Sequence, residues 1–239
     1  MYPYGFSFII PAYNEEANIV DCIISIKAEL QRNPHIPAEI IVVDNNSTDR
    51  TAEVVRGMGV KLIQESKKGV VHARQSGANA AKYQYLANID ADNRLPNGWL
   101  SVCNEYTKTD LVAWSGPLKY AGASELVDIG GDIFYFMARV AHRIVGPTLQ
   151  GGNYVIRKDA LEAMGGYDTS YEFYGEDTRT AVLASKQGRV KLIPEMWIWS
   201  SPRRLEQQGL FKTVGIYTAN YLSTTLLNKK VTKTYKDFR

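Results

Sequence analysis

Along the first part of the chain, short continuous apolar runs alternate with stretches whose apolar residues recur every three to four positions. Residues 6–11, 39–44, 60–64 and 85–90 are short runs rich in β-branched or aromatic side chains, and they predict strands. Between them, residues 15–32 repeat Ile19, Cys22, Ile23, Ile26 and Leu30 at helical spacing, until Asn33-Pro34-His35-Ile36-Pro37 breaks the pattern. Thr48-Asp49-Arg50-Thr51 opens a short helix closed by Gly57 and Gly59, and residues 69–82 predict an alanine-rich helix. Strands alternating with helices imply right-handed crossovers. The expected class is therefore α/β, with a mainly parallel central sheet and helices on both faces.

The second half is less regular. Helices are expected at 96–106, 125–145, 158–164 and 176–187, and strands at 111–120, 153–157 and 190–193. The 125–145 helix carries Asp132, Arg139, His142 and Arg143 as a polar stripe on an otherwise apolar cylinder. From Leu205 onward the pattern is helical and ends in Lys229, Lys230, Lys233, Lys236 and Arg239. No repeat or low-complexity linker divides the chain. Residues 1–204 are expected to form one domain with halves at 1–92 and 93–204, followed by a helical extension, 205–239, with a basic tail.

Composition narrows the classes. The 239 residues suit one large domain, and 45% hydrophobic content supports a sizeable core. A net charge of +3 is too mild for a nucleic-acid binder, so no such partner is expected. Cys22 and Cys103 fall at apolar positions, which predicts two buried free thiols suited to a reducing compartment. Met1-Tyr2-Pro3-Tyr4 lacks a basic leader, and no apolar run reaches the roughly 18 residues of a membrane span. A cytoplasmic location is expected. The apolar helix at 133–145 and the basic tail offer peripheral contact with the inner face of a membrane; a packed helix and a solvated tail is the plainer alternative.

The polar ends of the strands carry the candidate chemistry. Asp90 and Asp92 flank Ala91 where a strand gives way to a loop, so both carboxylates can converge on one hard cation shared with a substrate's phosphates. An isolated pair of this kind is more often two solvated loop acids, but this one lies at the strand end where open α/β sheets take ligands. Pro11-Ala12-Tyr13-Asn14-Glu15 ends the first strand, with Tyr13 offering a flat face for a base and Asn14 and Glu15 polar edges; Asn14 also reads as a helix cap. Asp44 can accept from a ribose hydroxyl or a base N–H, or serve as a turn acid. Gly69 starts a helix whose N–H groups face an anion, with Lys68 or Arg74 adding charge. Gly175 delivers Glu176 and Asp177 to a helix start, where one carboxylate can take a proton from an incoming hydroxyl. Gly151 and Gly152, before Asn153, permit close approach of backbone to a ligand. Trp199 with Arg203 and Arg204 suits a sugar ring and a diphosphate. A dinucleotide G-x-G-x-x-G and a phosphate-loop G-x-x-x-x-G-K-[ST] are both absent.

Taken together, Pro11 to Glu15, Val42 to Thr51, Asp90-Ala91-Asp92, Gly151-Gly152-Asn153 and Gly175-Glu176-Asp177 resemble the family 2 glycosyltransferases, from Phe6 to about Gly209. The resemblance implies the GT-A fold and an inverting, nucleotide-sugar-dependent transfer. It implies that Ala12, Glu15 and Asp44 hold base and ribose. It also implies that Asp90 and Asp92 hold Mg2+ or Mn2+ on the diphosphate, and that Asp177 is the general base with Glu176 beside it. Two departures stand out. Many members carry a second acid where this chain has Asn45, and processive members carry a Q-x-x-R-W signature that is absent here. The latter implies single addition.

The implied reaction is a metal-assisted single displacement onto a carbohydrate, lipid-linked or other acceptor hydroxyl, with Arg203 or Arg204, and Lys68 as a further candidate, stabilising the departing charge. The rivals are a sugar-phosphate nucleotidyltransferase, which would show a glycine- and arginine-rich loop after the first strand, and a non-catalytic nucleotide-sugar-binding module.

Overall fold

The computed structural model describes residues 2–120, 122, 125–171, 174–227, 229 and 232, with backbone alone at 125, 126, 128, 204, 210 and 211. The first half follows the alternation closely: β1 (Phe6–Ala12), α1 (Ile19–Arg32), β2 (Ala38–Asp44), α2 (Thr51–Arg56), β3 (Lys61–Gln64), α3 (Val70–Ala80) and β4 (Tyr85–Ile89). β1 pairs in parallel with β2 and β4, and β2 with β3. Helix α1 begins later than the spacing suggests, because residues 15–18 form a turn tied to the loop after β2.

Successive β1 residues bury on opposite faces. Phe6, Phe8 and Ile10 pack with Cys22, Ile23 and Ile26 of α1, while Ile9 packs with Ile41, Val43 and Ala73 of α3. Burial on both faces is what continuous apolar strands require. Each fully buried Phe or Ile contributes about 1.5–3 kcal/mol of transfer free energy. Both cysteines are free and buried.

The second half adds α4 (Trp99–Glu105), β5 (Leu111–Ser115), β6 (Leu118–Tyr120), α5 (Glu125–Ile144), β7 (Asn153–Arg157), α6 (Lys158–Ala163), α7 (Glu176–Ala184), β8 (Arg189–Leu192), β9 (Ile198–Ser200), α8 (Arg203–Gln208) and α9 (Leu210–Leu222). The main sheet has seven strands in the order β3-β2-β1-β4-β7-β5-β8, antiparallel only where β7 lies between β4 and β5.

The single strand expected at 111–120 is two. At Gly116 an added Cβ would stand 1.8 Å from the Met196 carbonyl oxygen, so another segment crosses there. Pro117 follows with no N–H to offer a ladder, and β6 leaves the sheet to pair in parallel with β9. The expectation did not include β9, whose three residues are too few to show alternation. The helical stretch after 204 packs back on the domain: the Phe134 and Tyr217 rings lie 6.4 Å apart, and the Tyr221 hydroxyl donates to the Gly146 carbonyl at 2.7 Å. The basic residues Lys230, Lys233, Lys236 and Arg239 lie outside the described residues.

Candidate active site

The chain winds outward from β1 through β2 to β3, then returns to place β4 on the other side of β1. Open α/β sheets take ligands at such a reversal, and a cavity of about 770 Å³ lies there. Pro11, Ala12 and Tyr13 from β1, and Asp90, Ala91 and Asp92 after β4, line it.

The loop after β1 is tied to the loop after β2. Asn14 Oδ1 accepts the Thr48 N–H at 2.8 Å, and the Glu15 N–H donates to Thr51 Oγ1 at 2.8 Å. Glu15 is buried and receives Arg203 through two bonds, Nη2 to Oε1 at 2.5 Å and Nη1 to Oε2 at 3.2 Å. Arg203 Nη2 also meets Asp92 Oδ2 at 3.0 Å. The planar guanidinium fork thus fastens α8 to the ends of both β1 and β4.

Arg74 of α3 is buried and bridges Asp90 at 2.9 Å and Glu176 at 3.4 Å. Burial opposes its charge, yet Tyr154, Asp90 and Glu176 hold its pKa above the ordinary arginine value. Gly151 and Gly152 run between the carboxylates. The Gly151 N–H donates to Asp177 Oδ2 at 3.0 Å. Gly152, at φ 73°, approaches Asp90 so closely that an added Cβ would lie 2.5 Å from its carboxylate carbon. Asp90 and Asp177 therefore flank one glycine turn, in which a side chain at position 152 would be strained and would press on Asp90. Burial first, then the charge of Glu176, pushes the Asp177 pKa up to about 7, against the Thr178 N–H, Arg74 and the Gly151 N–H. Such a carboxylate is suited to accept a proton near neutral pH.

Asp90 and Asp92 are hard oxygen donors. The Cys22 thiol beneath them is pushed up by burial and then by the charges of Asp92, Asp90 and Glu15, so three carboxylates bear on one spot. Among the described residues, no group of three or more His, Cys, Asp or Glu is arranged to hold a metal by itself. Two carboxylates fit an ion of the Mg2+ type, which takes its remaining ligands from substrate phosphates and water.

Of the other candidates, Lys68 and Gly69 line the cavity, whereas Asp44, Asn153 and Trp199 do not. Asp44 is buried outside the cavity wall, and its Oδ1 accepts the Ser47 N–H at 3.2 Å, shaping the turn. Asn45 lines the cavity instead. Its amide donates to the carbonyls of Glu65 and Lys67 at 2.9 and 2.8 Å, and its Oδ1 accepts the Gly69 N–H at 2.7 Å. The Gly69 N–H is therefore consumed within the protein rather than offered to an anion. Lys68 Nζ lies 4.3 Å from the Tyr13 ring centroid. Asn153 is fully buried: it accepts from Trp99 Nε1 at 3.1 Å and donates to the Pro117 and Met196 carbonyls. Trp199 is exposed, edge-on to Trp197 at 5.0 Å, and does not line the cavity. The Arg204 side chain lies outside the described residues. The sequence reading missed the rest of the wall, notably Phe134, Tyr135 and Met137 of α5, Tyr174, and Tyr217 and Tyr221 of α9. The available signal was the apolar character of α5 around nearly its whole circumference.

Comparison with known proteins places this geometry. The sequence model of glycosyl transferase family 2 matches residues 7–165. The chain is 29% identical over 171 residues to glycosyltransferase AglE of Haloferax volcanii, covering 66% of this chain and 54% of that protein. It is 31% identical over 93 residues to glycosyltransferase GlyG of Streptococcus pneumoniae, covering 36% and 30%. The match thus spans about half of the first relative's length and less of the second's. Among solved structures, the mannosyltransferase PcManGT of Pyrobaculum calidifontis, in complex with GDP-Man and Mn2+, superposes with a TM-score of 0.73 at 22% identity, over 95% of this chain and 64% of that one. S. aureus TarS with UDP-GlcNAc superposes with a TM-score of 0.58 at 16% identity, over 90% and 67%. At these identities the likeness is one of fold, the GT-A arrangement.

Proposed function

The chain belongs to glycosyl transferase family 2, and from that membership we propose that it moves a sugar from a nucleotide-diphosphate sugar to an acceptor hydroxyl by single displacement, with inversion at the anomeric carbon. The observation that carries the reading is the meeting of Asp90, Asp92, Glu176 and Asp177 on one cavity, joined by Arg74 and the Gly151-Gly152 turn. The nucleotide lies along Pro11, Ala12 and Tyr13, with Lys68 at the Tyr13 edge. Glu15 acts through Arg203, and Asp44 through the turn it shapes. Mn2+ or Mg2+ held by Asp90 and Asp92 would offset charge on the departing diphosphate, in keeping with the Mn2+ and GDP-Man of PcManGT. Arg203 and Arg74 hold the two aspartates in place and add positive potential at the leaving group. Asp177 receives the proton of the acceptor hydroxyl as it attacks from the face opposite the diphosphate, and Gly151 and Thr178 keep its two oxygens aimed.

A thermal-shift screen of nucleoside diphosphates and their sugars, with and without Mn2+, tests the donor half. A rise in melting temperature that needs both nucleotide sugar and Mn2+, and that EDTA abolishes, is the expected result. Absence of any such rise would count against donor binding. Release of pyrophosphate in place of nucleoside diphosphate would turn the reading to nucleotidyl transfer.

A further inference from the structure

Helix α5 is apolar on two faces. At about 100° per residue, Ile129, Ile133, Phe136, Val140 and Ile144 fall on one outward arc with Met137. All are exposed, Phe136 by 65% and Ile144 by 79%. Phe134, Tyr135 and Ala138 occupy another side of the helix and line the cavity. Met137 stands at the seam: it lines the cavity and is 54% exposed. Leu222, at the end of α9, does the same at 39%, and Leu226 and Leu227 extend the exposed apolar surface beyond it. Outer stripe and cavity wall are therefore one apolar surface folded over a shared rim. A contiguous patch of this kind marks an interaction site.

Charge and continuity select its occupant. Arg139 and Arg143 lie beside the stripe after Asp132, and Lys229 is exposed just past Leu227. Lys230, Lys233, Lys236 and Arg239 follow in the sequence against one acid, Asp237. Basic residues at the margin of an apolar stripe match anionic lipid head groups. Among the described residues no helix is long and apolar enough to cross a membrane, so α5 is suited to lie along a surface. Because Met137 and Leu222 both line the cavity and are exposed, a lipid surface on the stripe would border the cavity mouth. We propose that the outer face of α5 rests on an anionic lipid surface and that the acceptor is a lipid drawn from it, its hydrocarbon part against the apolar wall. The Tyr135 hydroxyl, buried and without a hydrogen-bond partner among the described residues, meets the polar head there. The acceptor half of this inference rests on the glycosyl-transfer reading, and the docking half does not. In the transfer, the head-group hydroxyl bonds the sugar C1 as the C1–O bond to the diphosphate breaks. The proton passes to Asp177 and the nucleoside diphosphate leaves.

Flotation with vesicles of phosphatidylcholine, with and without phosphatidylglycerol, tests the docking. The chain should float at low salt with the anionic vesicles only. The doubly substituted Ile133→Glu, Phe136→Glu chain, altered outside the cavity wall, should lose about tenfold or more of that binding. It should keep the Mn2+-dependent melting shift with nucleotide sugar. Ile133→Ser with Phe136→Ser, checked by circular dichroism, guards against a folding defect and should weaken flotation in the same direction. Failure of the unaltered chain to float, or flotation of both substituted chains equal to that of the unaltered chain, overturns the inference while the melting shift separately reports on donor binding. A dimer by light scattering that the substitutions dissolve, with no flotation, overturns it in favour of a second copy on the stripe.

Discussion

Replacing Asp177 by Asn separates the proton acceptor from the rest of the site. The rise of this carboxyl to about 7, from an ordinary value of ~3.9, corresponds to about 4 kcal/mol against the ionised form in the folded protein at ~1.4 kcal/mol per pH unit. Between about pH 4 and pH 7 the folded chain binds this proton more tightly than the unfolded chain, so the unaltered protein loses stability as pH rises through that window and no further above it. Asp177→Asn has no proton to lose. Its stability relative to the unaltered chain should therefore climb across the same window. The new amide turns one N–H toward the Gly151 N–H that Oδ2 now accepts, a mismatch costing about 1–3 kcal/mol at every pH. The expected balance is a variant less stable at pH 4 and about 1–3 kcal/mol more stable at pH 8. Activity should move the other way: transfer falls about 10²–10⁴-fold while the nucleotide-sugar melting shift persists. In the unaltered enzyme, nucleoside diphosphate release at saturating donor should drop about tenfold per pH unit below pH ~7. Denaturant melts and a release assay from pH 5 to 9 read both sides. Turnover of Asp177→Asn within about tenfold of the unaltered enzyme, or a flat rate profile from pH 6 to 8, would refute the assignment of the base.

Gly152→Ala would force a side chain into the left-handed region at φ 73°, 2.5 Å from the Asp90 carboxylate and 2.8 Å from Asn93 Nδ2. We expect a loss of about 1–3 kcal/mol in urea melts together with loss of the Mn2+-dependent nucleotide shift; unchanged melting would show that the turn is not confined. Asn45→Asp should cost about 1–3 kcal/mol, because the Asn45 amide donates to the Glu65 and Lys67 carbonyls. Faster proteolytic nicking at 65–69 is the companion readout, and equal stability would remove the clamp from the account. Arg203→Ala frees Glu15 and Asp92 from α8 and should weaken nucleotide-sugar binding by about tenfold or more. Arg203→Lys should recover only part of it, since a point charge cannot span both acids; full recovery by Lys would argue for charge alone.

What local pattern could reveal, it revealed. The four parallel strands of the first half and their polar ends were legible because each apolar run and each terminating residue lies within a few positions of the others. Asp90 and Asp92 could be placed at a ligand edge from the strand they end. Glu176 and Asp177 could be placed together at a helix start because they are adjacent in sequence, but local pattern did not choose between them; only the family resemblance pointed to Asp177. Cys22 and Cys103 could be assigned to the core from helical spacing alone.

The arrangement of the site was decided elsewhere, by contacts between segments far apart in the chain. Arg203 reaches across 188 positions to Glu15, Arg74 across 102 to Glu176, and Asn45, on the cavity wall, holds the loop before α3. Gly116 breaks a strand because Met196 passes against it, and α5 turns one apolar face to the cavity while leaving the other outside. Periodicity reports which side of an element is apolar. It does not report what that side will meet, since hydrogen bonds and close approach depend on distances that only the packed chain establishes.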